Sequence, residues 1–64
     1  SPYRILKALK QFSDVFGPDR NASVSRELTK IYAETIRGTL SELLEIFENK
    51  LIKGEFVIIV DGKN

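Results

Sequence analysis

Two stretches of the chain carry apolar residues at the three- and four-residue spacing of an amphipathic helix. In the first stretch the apolar positions are Ile5, Leu6, Leu9, Phe12, Val15 and Phe16. In the second they are Leu40, Leu43, Leu44, Phe47 and Leu51. Ser1-Pro2 suits the start of the first helix, and Gly17-Pro18 suits its end, because glycine accepts the left-handed cap and proline cannot continue the helix. We predict two helices that each turn this stripe to the core.

The second helix has a defined start. Thr39-Leu40-Ser41-Glu42 fits a capping box, in which the Thr39 hydroxyl accepts from the Glu42 amide and the Glu42 carboxylate accepts from the Thr39 amide. Gly38 lies just ahead of it and has no Cβ, so it can take a positive φ or allow a close approach. We therefore predict that this helix begins at Thr39.

Two short strands are predicted between the helices. Ala22 to Leu28 alternates with weak strand character, and Tyr32 to Arg37 alternates more clearly. Because the linker Thr29-Lys30-Ile31 is short, we expect the two strands to be antiparallel neighbours. The first strand has serines and an Arg-Glu pair on it. This composition suits either the wall of a cleft or an edge strand with a structural ion pair, and the sequence leaves both possibilities open.

The run Phe56-Val-Ile-Ile-Val60 predicts a strand that is apolar on both faces, which is typical of a central, covered strand. The chain then has the order α-β-β-α-β, an α/β (α+β) arrangement that we expect to form a small mixed sheet with the helices packed on it. Two short helices can cover only one face. Each large apolar side chain left in water would forfeit about 1.5–3 kcal/mol. We therefore predict that the other face is covered by material outside these residues, either a missing domain or a second copy.

Composition excludes several classes of function. The chain has 64 residues, no cysteine and no histidine, so it offers neither a disulfide, a zinc site of the usual ligands nor a serine or cysteine triad. Its glycines form no dinucleotide fingerprint or P-loop. The net charge of +1 argues against a nucleic-acid arm driven by bulk charge, although local basic patches remain open. The longest apolar run is far too short to cross a bilayer. We expect a cytoplasmic protein without a membrane partner, and no enzyme from this chain alone.

Three pieces of the chain, in this order, carry a family resemblance. They are Arg26-Glu-Leu-Thr-Lys30, Arg37-Gly-Thr-Leu-Ser-Glu-Leu43 with Glu34 upstream, and Lys53-Gly-Glu-Phe-Val-Ile-Ile-Val60. Together with Ser1-Pro2-Tyr3-Arg4 at a helix start, they resemble the C-terminal subdomain of the bacterial small-subunit ribosomal RNA 2′-O-ribose cytidine methyltransferases, of the tetrapyrrole methylase superfamily. The resemblance covers nearly the whole chain.

The resemblance implies that residues 1–64 are a fragment of a two-lobed enzyme. In that family, S-adenosylmethionine lies in the cleft between the lobes and the enzyme works as a homodimer on the rRNA of the 30S subunit. The missing partner would then be the N-terminal lobe, with its cofactor loop. A chain that begins at Ser1 and stops at Asn64, just after a strand, also raises the expectation of an excised piece. We expect the parent to bind the cofactor and the fragment alone to bind none and to be inactive.

The resemblance also implies site residues. The strand at Ala22-Ser23-Val24 would lie against the cofactor's adenosine through backbone groups, with Asp61-Gly62 as a second wall. Ser23 and Ser25 stand where small apolar residues are more usual. The motif residues Arg26, Glu27, Thr29 and Lys30 would shape the cleft or meet RNA, or form a structural salt-bridged unit. No catalytic residue is expected, because alignment of the ribose oxygen with the methyl group needs little acid–base work from this lobe.

Two alternatives remain from the sequence. One is a stand-alone α/β module that binds RNA through its basic residues Arg4, Lys7, Lys10, Arg20, Arg26 and Lys30. The other is a fragment of a tetrapyrrole methylase that acts on a small molecule, which the Arg-Glu-Leu-Thr motif disfavours.

Overall fold

The computed structural model describes residues 3–27, 29–49 and 55–62. Their elements are α1 (Arg4–Phe16), β1 (Asn21–Glu27), β2 (Ala33–Thr39), α2 (Leu40–Glu48) and β3 (Phe56–Val60). The predicted α-β-β-α-β order is confirmed. Some positions used in the predictions lie outside the described residues, namely Ser1-Pro2, Leu28, Leu51 and Lys53-Gly54.

The sheet has the strand order β2-β1-β3. β1 pairs antiparallel with β2, as predicted for these neighbours, and also antiparallel with β3. The sequence predicted a mixed sheet with β3 at its centre. Among the described residues both ladders are antiparallel and β3 lies at an edge. The edge-strand alternative for β1 is wrong, because β1 is paired on both sides.

Both helices contribute to one core on one side of the sheet. The buried apolar residues are Ile5, Leu9, Ala22, Val24, Leu40, Leu43 and Phe47. β3 shows the two-residue alternation of a strand, since Ile58 packs against this core whereas Val57 and Ile59 are 59% and 55% exposed on the opposite face. Among the described residues, the helices therefore cover only one face, as predicted.

The apolar stripe of α1 is only partly used. Ile5 and Leu9 are buried, but Val15 is 74% exposed and Phe16 is 41% exposed. Val15 lies about 80° around the helix from Ile5, so it points away from the core that Ile5 reaches. The helix ends at Gly17, which has a φ of 95° and donates its amide to the Ser13 carbonyl at 2.9 Å. Glycine accepts this backbone conformation without strain.

The capping box at the start of α2 is confirmed. The Glu42 amide donates to Thr39 Oγ1 at 3.1 Å, and the Thr39 amide donates to Glu42 Oε1 at 2.9 Å. Gly38 has no positive φ; a Cβ placed there would lie 3.4 Å from the Glu42 side chain. That distance is an ordinary van der Waals contact, so neither a turn conformation nor close packing in the described residues requires glycine here. The hydrogen bond from the Thr39 amide, helped by the Thr39 side chain, lowers the pKa of Glu42.

We expect Glu42→Gln to lower the free energy of unfolding at neutral pH and to have no effect in acid. Because the pKa of Glu42 is lower in the folded state, its ionised form stabilises the fold above the unfolded value of 4.5. This stabilisation is lost as the pH falls through the folded pKa. Urea unfolding of both proteins at neutral pH and well below 4.5 measures the difference. A deficit that persists in acid would contradict a role for the charge.

β3 offers a matched pair of substitutions that tests which face is covered. We expect Ile58→Thr to lower the free energy of unfolding by about 1–2 kcal/mol, because it removes buried apolar surface and places a hydroxyl against the core. Ile59→Thr, on the exposed face, should change it by less than about 0.5 kcal/mol. Urea unfolding of the two variants in dilute solution decides this. Equal losses would show that the outer face is also covered.

Candidate functional site

The predicted site residues fall at the two opposite ends of β1. Ala22 lies at its beginning and Arg26 near its end, about 13 Å apart at the rise of a strand. Asp61-Gly62 follows β3 and joins the first end, while Thr29 and Lys30 lie beyond the second. The structure therefore brings together two separate groups of the predicted residues and does not join them into one site.

At the first end, two hydrogen bonds hold the end of β3 in place. We call this the Asp61 edge, formed by Arg20, Asn21, Asp61 and Gly62. The Asp61 amide donates to the Asn21 carbonyl at 2.9 Å. Arg20 Nη1 donates to the Asp61 carbonyl at 3.1 Å. The Arg20 guanidinium also lies 5.3 Å from the centre of the Phe16 ring, a cation–π arrangement. Arg20 thus ties α1, β1 and β3 together.

The sequence alone gave Arg20 one role, as one of the six basic residues of a stand-alone RNA-binding module. Its partner Asp61 is 41 residues away. Local pattern carries no signal for a contact of this separation. The Arg20 guanidinium contacts the Asp61 carbonyl and the Phe16 ring within the chain, so it is not a free cation.

The Asp61 edge contains the second cofactor wall that the resemblance implies, Asp61 and Gly62, and both residues are exposed. The amide and carbonyl of Asp61 are already hydrogen-bonded within the chain, whereas a Cβ at Gly62 would meet nothing within 4 Å, so the open backbone here is that of Gly62. Ala22, Ser23 and Val24 differ, since they are only 3%, 6% and 2% exposed. They lie between two paired strands, whose ladders occupy their amides and carbonyls. A contact between the adenosine and the backbone of these three residues does not fit this arrangement.

At the second end of β1, Arg26 pairs with Glu34 and not with its sequence neighbour Glu27. Arg26 Nε lies 3.5 Å from Glu34 Oε1, and the two side chains are 18% and 33% exposed. The two residues are direct partners across the β1–β2 ladder. Glu27 points to the opposite face, because neighbours in a strand alternate. Arg26 of the motif therefore belongs to a half-buried ion pair, but its partner Glu34 lies outside the four residues for which a structural salt-bridged unit was considered.

Thr29 shapes the turn between β1 and β2. Its hydroxyl accepts from the amides of Ile31 and Tyr32 at 3.2 and 3.0 Å, and its own amide donates to the Tyr32 carbonyl at 3.1 Å. Lys30, Ile31 and Tyr32 are exposed at the tip. Two of the four predicted RNA-contacting residues, Arg26 and Thr29, thus interact with other residues of the chain. The side chains of the other two, Glu27 and Lys30, are exposed.

The described residues also bear on two other classes of site, a metal centre and a membrane span. No cluster of acidic side chains there is arranged to hold a metal ion. No helix in the part of the chain that the structure describes is long and apolar enough to span a membrane.

Comparison with known proteins gives a consistent set of relatives, although no family model matches the chain. The chain is 42% identical over 64 residues to the "Ribosomal RNA small subunit methyltransferase I" of Bacillus subtilis. The aligned residues make up 100% of the chain and 22% of that protein. Proteins of the same name from Rickettsia prowazekii and Thermotoga maritima are 41% and 38% identical over 92% and 98% of the chain.

The chain spans only 21–28% of the length of these relatives. Their names apply to the whole proteins. Over its full length, the chain is a relative of one segment of the ribosomal RNA small subunit methyltransferase I proteins, which confirms the family resemblance that its motifs indicated.

Proposed function

We propose that this chain is the C-terminal part of an S-adenosylmethionine-dependent methyltransferase that acts on the ribose 2′-oxygen of small-subunit rRNA. The observation that carries the proposal is the similarity along the whole chain, at 38–42% identity, to a segment of proteins named for this rRNA. In this proposal residues 1–64 are one subdomain of a two-lobed, cytoplasmic enzyme. Alone, they have no methyltransferase activity.

The proposed contribution to the cofactor cleft is the Asp61 edge. Gly62 would offer exposed backbone to the cofactor, and Arg20 keeps the neighbouring Asp61 in place through the Asp61 carbonyl. Ala22, Ser23 and Val24 would act behind it, as the packed strand that supports the edge. When bound, S-adenosylmethionine supplies the activated methyl group. The residues of this chain would bind and orient, which can provide much of the rate enhancement of a group transfer.

The outer face of the sheet would be the contact with the rest of the enzyme. Val57 and Ile59 expose large apolar side chains on it, next to a hydrogen bond of 3.0 Å between Ser25 and Thr35 hydroxyls. Covering such side chains is worth about 1.5–3 kcal/mol each. We propose that the N-terminal lobe of the parent, or the second subunit of a homodimer, supplies this cover.

The test is a chimera. In it, the 64 residues replace the aligned segment of the Bacillus subtilis relative, to which they are 42% identical. We expect the purified chimera to transfer labelled methyl groups from S-adenosylmethionine to the rRNA of small ribosomal subunits. The matched control carries Phe47→Ala, which should abolish activity by unfolding the segment. A folded chimera that binds the cofactor but leaves the rRNA unmodified would overturn the proposal.

A second measurement needs only the chain itself. Calorimetry with S-adenosylmethionine should show no binding, because one wall cannot enclose the cofactor. Micromolar affinity would contradict the division of the site between two lobes.

The structure weakens the stand-alone RNA-binding alternative. Of the six basic residues considered for it, Arg20 and Arg26 are engaged inside the fold. The names of the relatives also favour rRNA over a small tetrapyrrole as the substrate of the parent.

A further inference from the structure

The first half of α1 carries an unneutralised basic strip, formed by Arg4, Lys7 and Lys10. All three side chains are exposed. Successive members are about 4.5 Å apart along the helix axis, at the rise of an α-helix. Within the described residues, none of them forms an ion pair. The strip is therefore a local concentration of positive charge on a chain of net charge +1.

Arg4 and Lys7 lie in the first turn of α1, where a positive charge is unfavourable for the stability of the helix. The amino-terminal end of a helix carries a partial positive charge, so acidic residues stabilise it and basic residues do not. The first turn of α1 has no acidic residue and begins with Arg4. α2 shows the opposite and favourable choice, with Glu42 in its first turn. A local arrangement that opposes stability is expected where a functional contact requires it.

The surroundings of the strip match a single-stranded nucleic acid. Lys7 and Lys10 line a groove of about 350 Å³ between α1 and α2, with Leu6 and Leu44 in it and Glu48 as its one acidic group. Tyr3 is 66% exposed one turn before Lys7, whose amide donates to the Tyr3 carbonyl at 3.1 Å. Cations beside an aromatic ring provide both phosphate contacts and a surface for stacking of an unpaired base.

We propose that the basic strip of α1 binds the sugar–phosphate backbone of the rRNA substrate. This rests on the proposed function, because it takes RNA as the substrate of the parent. In this proposal the main RNA contact of the subdomain is the basic strip and not the Arg26–Lys30 motif. In that motif Arg26 is paired with Glu34, and Thr29 is hydrogen-bonded within the turn. The strip serves affinity and not sequence recognition, since phosphate contacts carry no sequence information.

The first test compares two single variants of the 64-residue chain that lose the same charge. Lys7→Gln removes one cation from the strip, and Arg37→Gln removes one exposed cation outside both the strip and the Arg26–Lys30 motif. Binding of a short fluorescein-labelled single-stranded RNA is followed by anisotropy over a series of salt concentrations. Each lost phosphate contact should reduce the slope of log K against log salt by about 0.7. We expect a reduction of about 0.7 for the strip variant, at one such contact, and little change for the control.

Two results would overturn the proposal. Equal reductions in both variants would mean that only net charge matters. An unchanged slope in the strip variant would mean that the strip does not meet RNA. Circular dichroism should show both variants folded, and the strip variant should melt no lower than the unmodified chain, because it loses a cation from the first turn of a helix.

The second test uses the chimera with the Bacillus subtilis relative. The strip variant should raise KM for small-subunit rRNA several-fold with kcat retained, and the control variant should leave both unchanged. A loss of cofactor affinity or of melting temperature, without a change in the KM for rRNA, would show that the strip docks on protein and would overturn the proposal. An inactive unmodified chimera would count against the proposed function alone, because the salt dependence measured on the chain is independent of it.

Discussion

Phe47→Ala is expected to lower the free energy of unfolding by about 3–5 kcal/mol, the usual loss for a buried phenylalanine. Phe47 is 2% exposed and is among the largest fully buried side chains of α2 and of the described core. Its removal leaves a cavity in the shared core of helices and sheet that a small domain cannot fill by relaxation. Total stabilities of domains are about 5–15 kcal/mol, and small domains lie at the low end. Urea unfolding followed by circular dichroism should therefore show a largely unfolded variant under native conditions.

Phe16→Ala is the matched control for this experiment. Phe16 is 41% exposed at the end of α1, where its ring lies 6.2 Å from that of Phe12 and under the Arg20 guanidinium. The loss should be about 1 kcal/mol, from partial burial and the cation–π contact. Comparable losses at the two positions would contradict a core centred on α2 and β1.

The second large effect is expected at the Arg26–Glu34 pair. Arg26→Met should lower the free energy of unfolding by about 1–3 kcal/mol, because the Glu34 carboxylate loses a cation at a half-buried position. Glu34→Met should have a similar effect, because the buried Arg26 Nε loses the Glu34 carboxylate. The double variant should recover most of the loss, since apolar side chains can replace an ion pair of this kind. A double-mutant cycle from urea unfolding measures the coupling energy.

The outcome of this cycle separates the two roles considered for the motif. A coupling energy well above zero, together with unchanged RNA affinity in Arg26→Met, would assign Arg26 to the fold. Additive losses and a weakened RNA complex would instead return Arg26 to the substrate contact. Lys30→Gln, at the exposed tip of the same hairpin, provides the comparison for RNA affinity.

Local features of the chain were accessible from its sequence. Helix periodicity located α1 and α2, and the capping box located the start of α2 at the residue, because its two hydrogen bonds join groups only three positions apart. The antiparallel pairing of β1 and β2 followed from the short linker between them. The apolar run of β3 correctly indicated a strand with an apolar outer face, of which Val57 and Ile59 are the exposed members.

The candidate site was less accessible, and two residues show why. Arg26 was grouped with Glu27 on the basis of adjacency, but adjacent strand residues face opposite sides and the true partner is set by the register of the hairpin. The three residues from Ala22 to Val24 were assigned to a cofactor wall. Their backbone proved to be occupied on both sides, which depends on the order of the strands.

The sequence by itself determined the number, order and type of the elements, the inward face of each helix and the relationship to the rRNA methyltransferases. These properties depend on spacing within a few residues or on similarity along the chain. Only the tertiary structure decided that β1 is the central strand and that Arg20 holds the Asp61 edge. It also decided that Arg26 is paired while, among the described residues, the basic strip of α1 forms no ion pair. Each of these is a contact between distant parts of the chain, and apolar periodicity specifies which face is buried without specifying what lies against it.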